Sequence, residues 1–188
     1  MSGNMTESSM KTWCLRGISL SALAALSVTG LATPAVAQDP PGAALARMEG
    51  AWQGEGWIMT PSRERHTFDI FEEVEVAAGG HAVVLRGEGF APAGSGREGR
   101  PIHDAVGLLT RAGEGYEMRA LTQHGQQNDA EFIMTDQGFD WSIDLGPGGR
   151  IQYSAQVTDS VWEETGEWCP ADGGQCWPTF YMRLERAR

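Results

Sequence analysis

The sequence predicts an all-β protein: a closed antiparallel up-and-down barrel of about ten strands, preceded by a short helix. Three observations carry that reading. Apolar residues alternate with polar ones beyond Gly50, as in Ile151, Tyr153, Ala155 and Val157 against Gln152, Ser154 and Gln156. Period two over such lengths means a sheet with one buried face. Turn signals separate the runs, at Gly79-Gly80, Ala112–Gly115, Asp136-Gln137-Gly138 and Gly146–Gly149. Finally, no segment recurs at a fixed period, which excludes a solenoid. A regular hairpin series removes its unpaired edges by closing on itself. An open sandwich is the competing arrangement.

Residues 1–37 read as a cleaved signal peptide, leaving 38–188 as one barrel domain. Lys11 and Arg16 supply the positive start, Gly17 to Leu31 is uncharged and apolar, and Ala35-Val36-Ala37 is a small-x-small cleavage site before Gln38. The apolar run is shorter than the roughly 20 residues a membrane span requires. A periplasmic or secreted protein is expected. Loss of Lys11, Arg16 and Glu7 changes 14 basic and 25 acidic residues to 12 and 24, a net charge of −12. That balance opposes nucleic acid, which is read with Lys and Arg, and stable membrane insertion is not expected either. Lys11 is also the sole lysine. Schiff-base chemistry and a phosphate-loop lysine are therefore excluded from the exported chain.

The elements follow in order. Gln38 to Pro41 is an extended leader. Gly42 to Met48 holds good helix formers, with Leu45 and Met48 on one face, and Gly50 stops the helix. Strands are expected at Ala51–Thr60, His66–Ala78, His81–Ala91, Pro101–Arg111, Tyr116–Thr122, Asp129–Thr135, Trp141–Leu145, Ile151–Val157, Ser160–Trp168 and Phe180–Glu185. Pro92–Gly99 is the longest loop. Gly54, Gly56, Gly87 and Gly89 lie inside strands, where glycine suits a bend or a close backbone approach. Cys14 leaves with the signal, so Cys169 and Cys176 are expected to form a disulfide in an oxidising compartment. A ring this short is worth about 2–3 kcal/mol. Trp168 and Trp177 flank it and are expected to shield it.

One stretch is also similar to a known pattern. Leu45-Ala46-Arg47-Met48-Glu49-Gly50-Ala51-Trp52-Gln53-Gly54-Glu55-Gly56 resembles the L-x-x-L-x-G-x-W-x-G-x-G opening of small lipocalin-like barrels. Pro101–Asp104, Trp162–Glu167 and Trp177–Arg186 resemble later segments of the same group, the calycin superfamily near its fatty-acid-binding and nitrobindin-like branches. The resemblance implies a barrel whose first-strand Trp52 packs at the closed end and whose interior holds a small molecule. Haem-binding nitrobindin-like proteins use a histidine near the C-terminus. Here the last histidine is His124, so no cofactor is expected, and a haem-dependent isomerase is the alternative rather than the main reading.

The candidate binding residues are Glu72, Arg86, His103, Tyr116, Trp141 and Tyr153. Glu72 shares a face with Phe68, Ile70, Val74 and Val76, so its carboxylate needs a partner or carries a raised pKa. Arg86 is the expected partner, either in a buried ion pair or with a ligand. His103 belongs at the mouth or inside. Tyr116, Trp141 and Tyr153 fall on inward positions, where aromatic bodies with polar tips form a pocket wall. No His-x-His or helical His pair suggests a metal, and no G-x-S-x-G elbow suggests a nucleophile. No catalytic or metal site is expected. The chain reads as an exported binding protein for a small hydrophobic or amphipathic molecule. A filled barrel serving protein–protein interaction is the third reading.

Overall fold

The computed structural model describes residues 43–188 except Pro61 and Glu114. The expected signal segment (1–37) and leader (38–41) lie outside the described residues. Helix α1 (Ala43–Met48) precedes ten strands: β1 (Gly50–Met59), β2 (Arg65–Ala77), β3 (Ala82–Ala91), β4 (Arg100–Ala112), β5 (Gly115–Thr122), β6 (Gln127–Met134), β7 (Gly138–Asp144), β8 (Arg150–Val157), β9 (Val161–Cys169) and β10 (Trp177–Arg186). Each strand pairs antiparallel with its sequence neighbour, and β1 pairs with β10 from Trp52↔Arg186 to Ile58↔Phe180. The sheet is closed, as expected, and is not a sandwich.

Two strand starts differ from the sequence reading by three residues, the others by one or two. β7 begins at Gly138, because Gly138 and Phe139 pair with Gln156 and Ala155. A methyl group on Gly138 would lie 2.1 Å from the Ala155 carbonyl oxygen, so this glycine permits a close backbone approach inside a strand. β10 begins at Trp177 and carries a bulge between Pro178 and Phe180. A bulge tolerates a residue that has no N–H to donate.

One end of the barrel is plugged. Leu45 and Met48 of α1 are buried there against Trp52, Val83, Leu109, Phe132, Phe139, Trp162 and Leu184. Trp52 Nε1 donates to the Met48 carbonyl at 2.8 Å, which ties strand to helix. Its ring meets Trp162 edge-on at 6.0 Å, and the Arg186 guanidinium lies 4.1 Å above it. Arg186 then donates to the carbonyls of Arg47 at 2.6 Å, Asp159 at 2.7 Å, and Glu49. Helix, first strand and last strand are thereby locked together.

The Cys169–Cys176 disulfide is formed at the opposite end, with the Cα atoms 4.2 Å apart. Trp168 is half-buried beside it and donates to the Gly148 carbonyl at 2.9 Å. Trp177 does not shield the disulfide as expected. It is 51 % exposed at the first position of β10, on the end rung of the ladder opposite Trp168, with the Arg63 guanidinium over its ring.

Candidate functional site

The pairing registers determine which side chains face inward. From Trp52↔Glu72 and Glu72↔Gly87, the inner face of β2 carries Phe68, Ile70, Glu72 and Val74, and that of β3 carries Val83, Leu85, Gly87 and Gly89. Continuing round, β4 contributes His103, Ala105, Gly107 and Leu109, and β5 contributes Tyr116, Met118, Ala120 and Thr122. Above the plug, the wall formed by β3, β4 and β5 therefore presents Gly87, Gly89, Ala105, Gly107 and Ala120. These side chains fill almost no volume.

The facing wall is aromatic. Trp141 on β7 stacks on Tyr153 of β8 with centroids 4.1 Å apart and planes 9° apart. Tyr153 meets Phe180 of β10 edge-on at 5.7 Å, and Phe180 stacks with Phe68 at 6.2 Å. Gly166 makes this possible: a methyl group there would lie 2.8 Å from Tyr153 Cε1 and 2.9 Å from Phe180 Cβ. Small residues on one side and flat rings on the other leave the inward-facing side chains of the upper half incompletely covered. Glu72, Trp141, Ile143, Ile151, Tyr153 and Phe180 are accordingly only half-buried although they point into a closed barrel. A side-chain-filled interior would cover them completely.

Two carboxyl groups lie between the walls. Glu164 on β9 alternates with Trp162, Gly166 and Trp168 and is 4 % exposed. It accepts from Trp141 Nε1 at 3.0 Å and from Trp162 Nε1 at 3.3 Å. Burial pushes its pKa up to about 7, against the opposing pull of the two indole N–H groups. Burial raises the Glu72 pKa as well, and charge on Glu164 adds to the rise. Glu72 has no hydrogen-bond or ion-pair partner among the described residues. Its Oε1 lies 2.6 Å from where a Gly87 side chain would begin, so glycine there makes room for the carboxyl. The Tyr153 phenol is also raised, by burial and then by Glu164.

The structure brings Glu72, Trp141 and Tyr153 together around Glu164. His103 stands on the opposite wall at the mouth, where it is exposed. The surrounding barrel lowers its pKa, and Asp104 partly offsets this. Tyr116 faces inward but sits in the plugged half, 4 % exposed, its hydroxyl without a partner. Arg86 is not the partner of Glu72. It lies opposite Glu73 and Val106 on the outer face and is exposed, because Glu72 pairs in register with Gly87 instead. The sequence reading missed Glu164. Its signal was the period-two set Trp162, Glu164, Gly166, Trp168, which puts the second glutamate of Glu163-Glu164 on the apolar side.

Concavities on the outer wall are weaker candidates. One of about 880 Å³ runs along β4 to β6, and one of about 590 Å³ lies beside β1 and β10. Several of their polar groups are already engaged: Arg119 with Asp129 at 2.8 Å in the first, and Asp69 with the Gly94 and Gly96 amides at 2.8 and 2.5 Å in the second.

No family model matches the chain, and no curated protein does. Solved structures do. Rv2717c from M. tuberculosis matches over 80 % of this chain and 99 % of its own at 17 % identity, with a TM-score of 0.59. The S-type phycobiliprotein lyase CPES from Guillardia theta matches over 76 % and 90 % at 11 % identity, with a TM-score of 0.51. The fold is a ten-stranded antiparallel barrel resembling the lipocalin-like, calycin type. At these identities the likeness speaks to architecture alone.

Proposed function

We propose that this chain is an exported binding protein that holds one small hydrophobic or amphipathic molecule in the upper half of its barrel. The observation that carries this reading is the wall of Gly87, Gly89, Ala105, Gly107 and Ala120 facing the Trp141–Tyr153–Phe180 rings. Apolar ligand surface buried between them contributes about 25 cal/mol per Å², and the polar end lies against Glu72, Glu164, Tyr153 or His103. The reading requires no cofactor. It is supported by the architecture shared with a phycobiliprotein lyase and by the resemblance to calycin barrels. Haem chemistry of the nitrobindin type has less support, because β10 carries no histidine. Export is supported by the signal pattern at 1–37 and by the disulfide, which belongs in an oxidising compartment.

A cavity-filling variant tests the pocket. A methyl group at Gly107 would meet Leu85 and Met118 at 3.7 Å, an ordinary contact, and a larger side chain would project from there into the open space. Nile red, a neutral dye that brightens in apolar surroundings, is expected to bind the wild type at one site. Gly107→Phe is expected to lose that enhancement while keeping its far-ultraviolet circular dichroism. Equal brightening by both proteins would place the dye on the outside and remove the pocket.

A further inference from the structure

We infer that the pocket selects an organic cation, an amine or quaternary ammonium on an apolar body, with its charge held between Glu72 and Glu164 against the Trp141–Tyr153–Phe180 wall. This rests on the pocket proposed above and names what the pocket takes. Three observations converge on it. First, the two interior carboxyl groups have no matching cation. Glu164 uses its oxygens on two indole N–H groups, and Glu72, half-buried on the inner face, has no partner among the described residues to neutralise it. Among the described residues, no arginine lies on the inner face between plug and mouth; Arg100 and Arg111, at the two rims, are both exposed. A carboxylate ligand would enter a space that already holds two carboxyl groups and no counter-ion.

Second, the wall beside the carboxyl groups is built of stacked and edge-on rings, whose faces attract cations. Third, a hydroxyl on the opposite wall, Thr122 Oγ1, is shielded from solvent and lacks a partner. The site thus also holds an unspent polar group for a ligand that fills the space between the walls. An ammonium group entering here lets both carboxyl groups give up their protons, because the attraction replaces the lost hydration. Binding is therefore coupled to proton release. The groups that face the site are Glu72 on β2, Glu164 on β9, Tyr153 on β8 and His103 on β4, with Arg100 and the exposed His66, paired with Glu64, at the rim. Protonated His103 repels a cation, so it acts in the same direction as the carboxyl groups.

The test displaces Nile red from the full barrel with three probes of one chain length, below their micelle concentrations: decyltrimethylammonium, decanol and decanoate. At about pH 8 the ammonium is expected to bind at least about tenfold more tightly than the other two. That preference is expected to shrink at about pH 5 and to disappear in the Glu72→Gln/Glu164→Gln double variant. If the double variant does not fold, Glu72→Gln alone and the wild-type pH series give the same comparison. Decanoate or decanol binding as tightly as the ammonium, and being blocked by Gly107→Phe, would overturn the cation inference and leave the pocket standing. An ammonium preference unchanged by the glutamine substitutions would assign it to the acidic outer surface and likewise overturn the inference. If no probe binds and Nile red is not taken up, the pocket itself fails, and this inference with it.

Discussion

Trp52→Ala is expected to destabilise the barrel by about 3–5 kcal/mol, the range for removing a large buried aromatic. Trp52 is 1 % exposed and does three jobs at the plugged end. Its indole N–H holds α1 by the Met48 carbonyl, its edge packs on Trp162, and its face supports Arg186. Losing it leaves the Met48 carbonyl without its indole donor and a cavity among Leu45, Met48 and Trp162. Domains of this size carry a total stability of only about 5–15 kcal/mol, so the variant is expected to approach unfolding at ordinary growth temperature. Denaturant titration measures this directly. A midpoint close to that of the wild type would mean that the plug does not stabilise the barrel.

The second large effect is on pH dependence. In the unfolded chain Glu164 has its ordinary pKa near 4.5, and in the barrel it lies at about 7. The folded state therefore keeps a proton that the unfolded state has lost. Stability from this group is fully present below about pH 4.5 and is lost as pH rises through about 7. Each pKa unit is worth about 1.4 kcal/mol, so the loss is on the order of 3 kcal/mol. At about 2–4 °C per kcal/mol for a domain this size, Tm is expected to fall by about 5–10 °C between pH 5 and pH 8. Glu72 is shifted the same way and adds to the slope. His103, whose pKa is lowered, acts in the opposite direction, and only below its ordinary range near 6.5. Glu164→Gln removes the titrating group and is expected to flatten the profile. Thermal melts of both proteins across this window decide the matter; equal slopes would show that Glu164 is ionised in the folded protein at neutral pH.

The barrel was legible in the sequence because its strands bury one face. The alternation that turns Trp141, Tyr153 and Ala155 inward is written in the residues themselves, and so is the closing hairpin order. Glu72 was legible for the same reason, lying in a run with Phe68, Ile70 and Val74. Its neighbours across the sheet were not. Whether Arg86 or Gly87 faces Glu72 depends on a register offset of one residue, and a slip of one reverses every side chain. The alternation of β3 gives both faces an apolar appearance, since Val84 and Phe90 pack outside while Val83, Leu85 and the glycines point in. Glu164 was hidden by its neighbour: two adjacent glutamates read as a solvated pair until the tryptophans at 162 and 168 are counted on the same parity. The exposed position of Trp177 depends on where the ladder ends, which composition does not encode.

Native mass spectrometry of the protein released gently from its own host tests the central claim most directly. The expected spectrum shows a chain beginning at Gln38 that carries a single small adduct in one-to-one ratio, shed on mild activation and missing from Gly107→Phe. A bare chain in every preparation, with identical spectra for wild type and Gly107→Phe, would contradict the account.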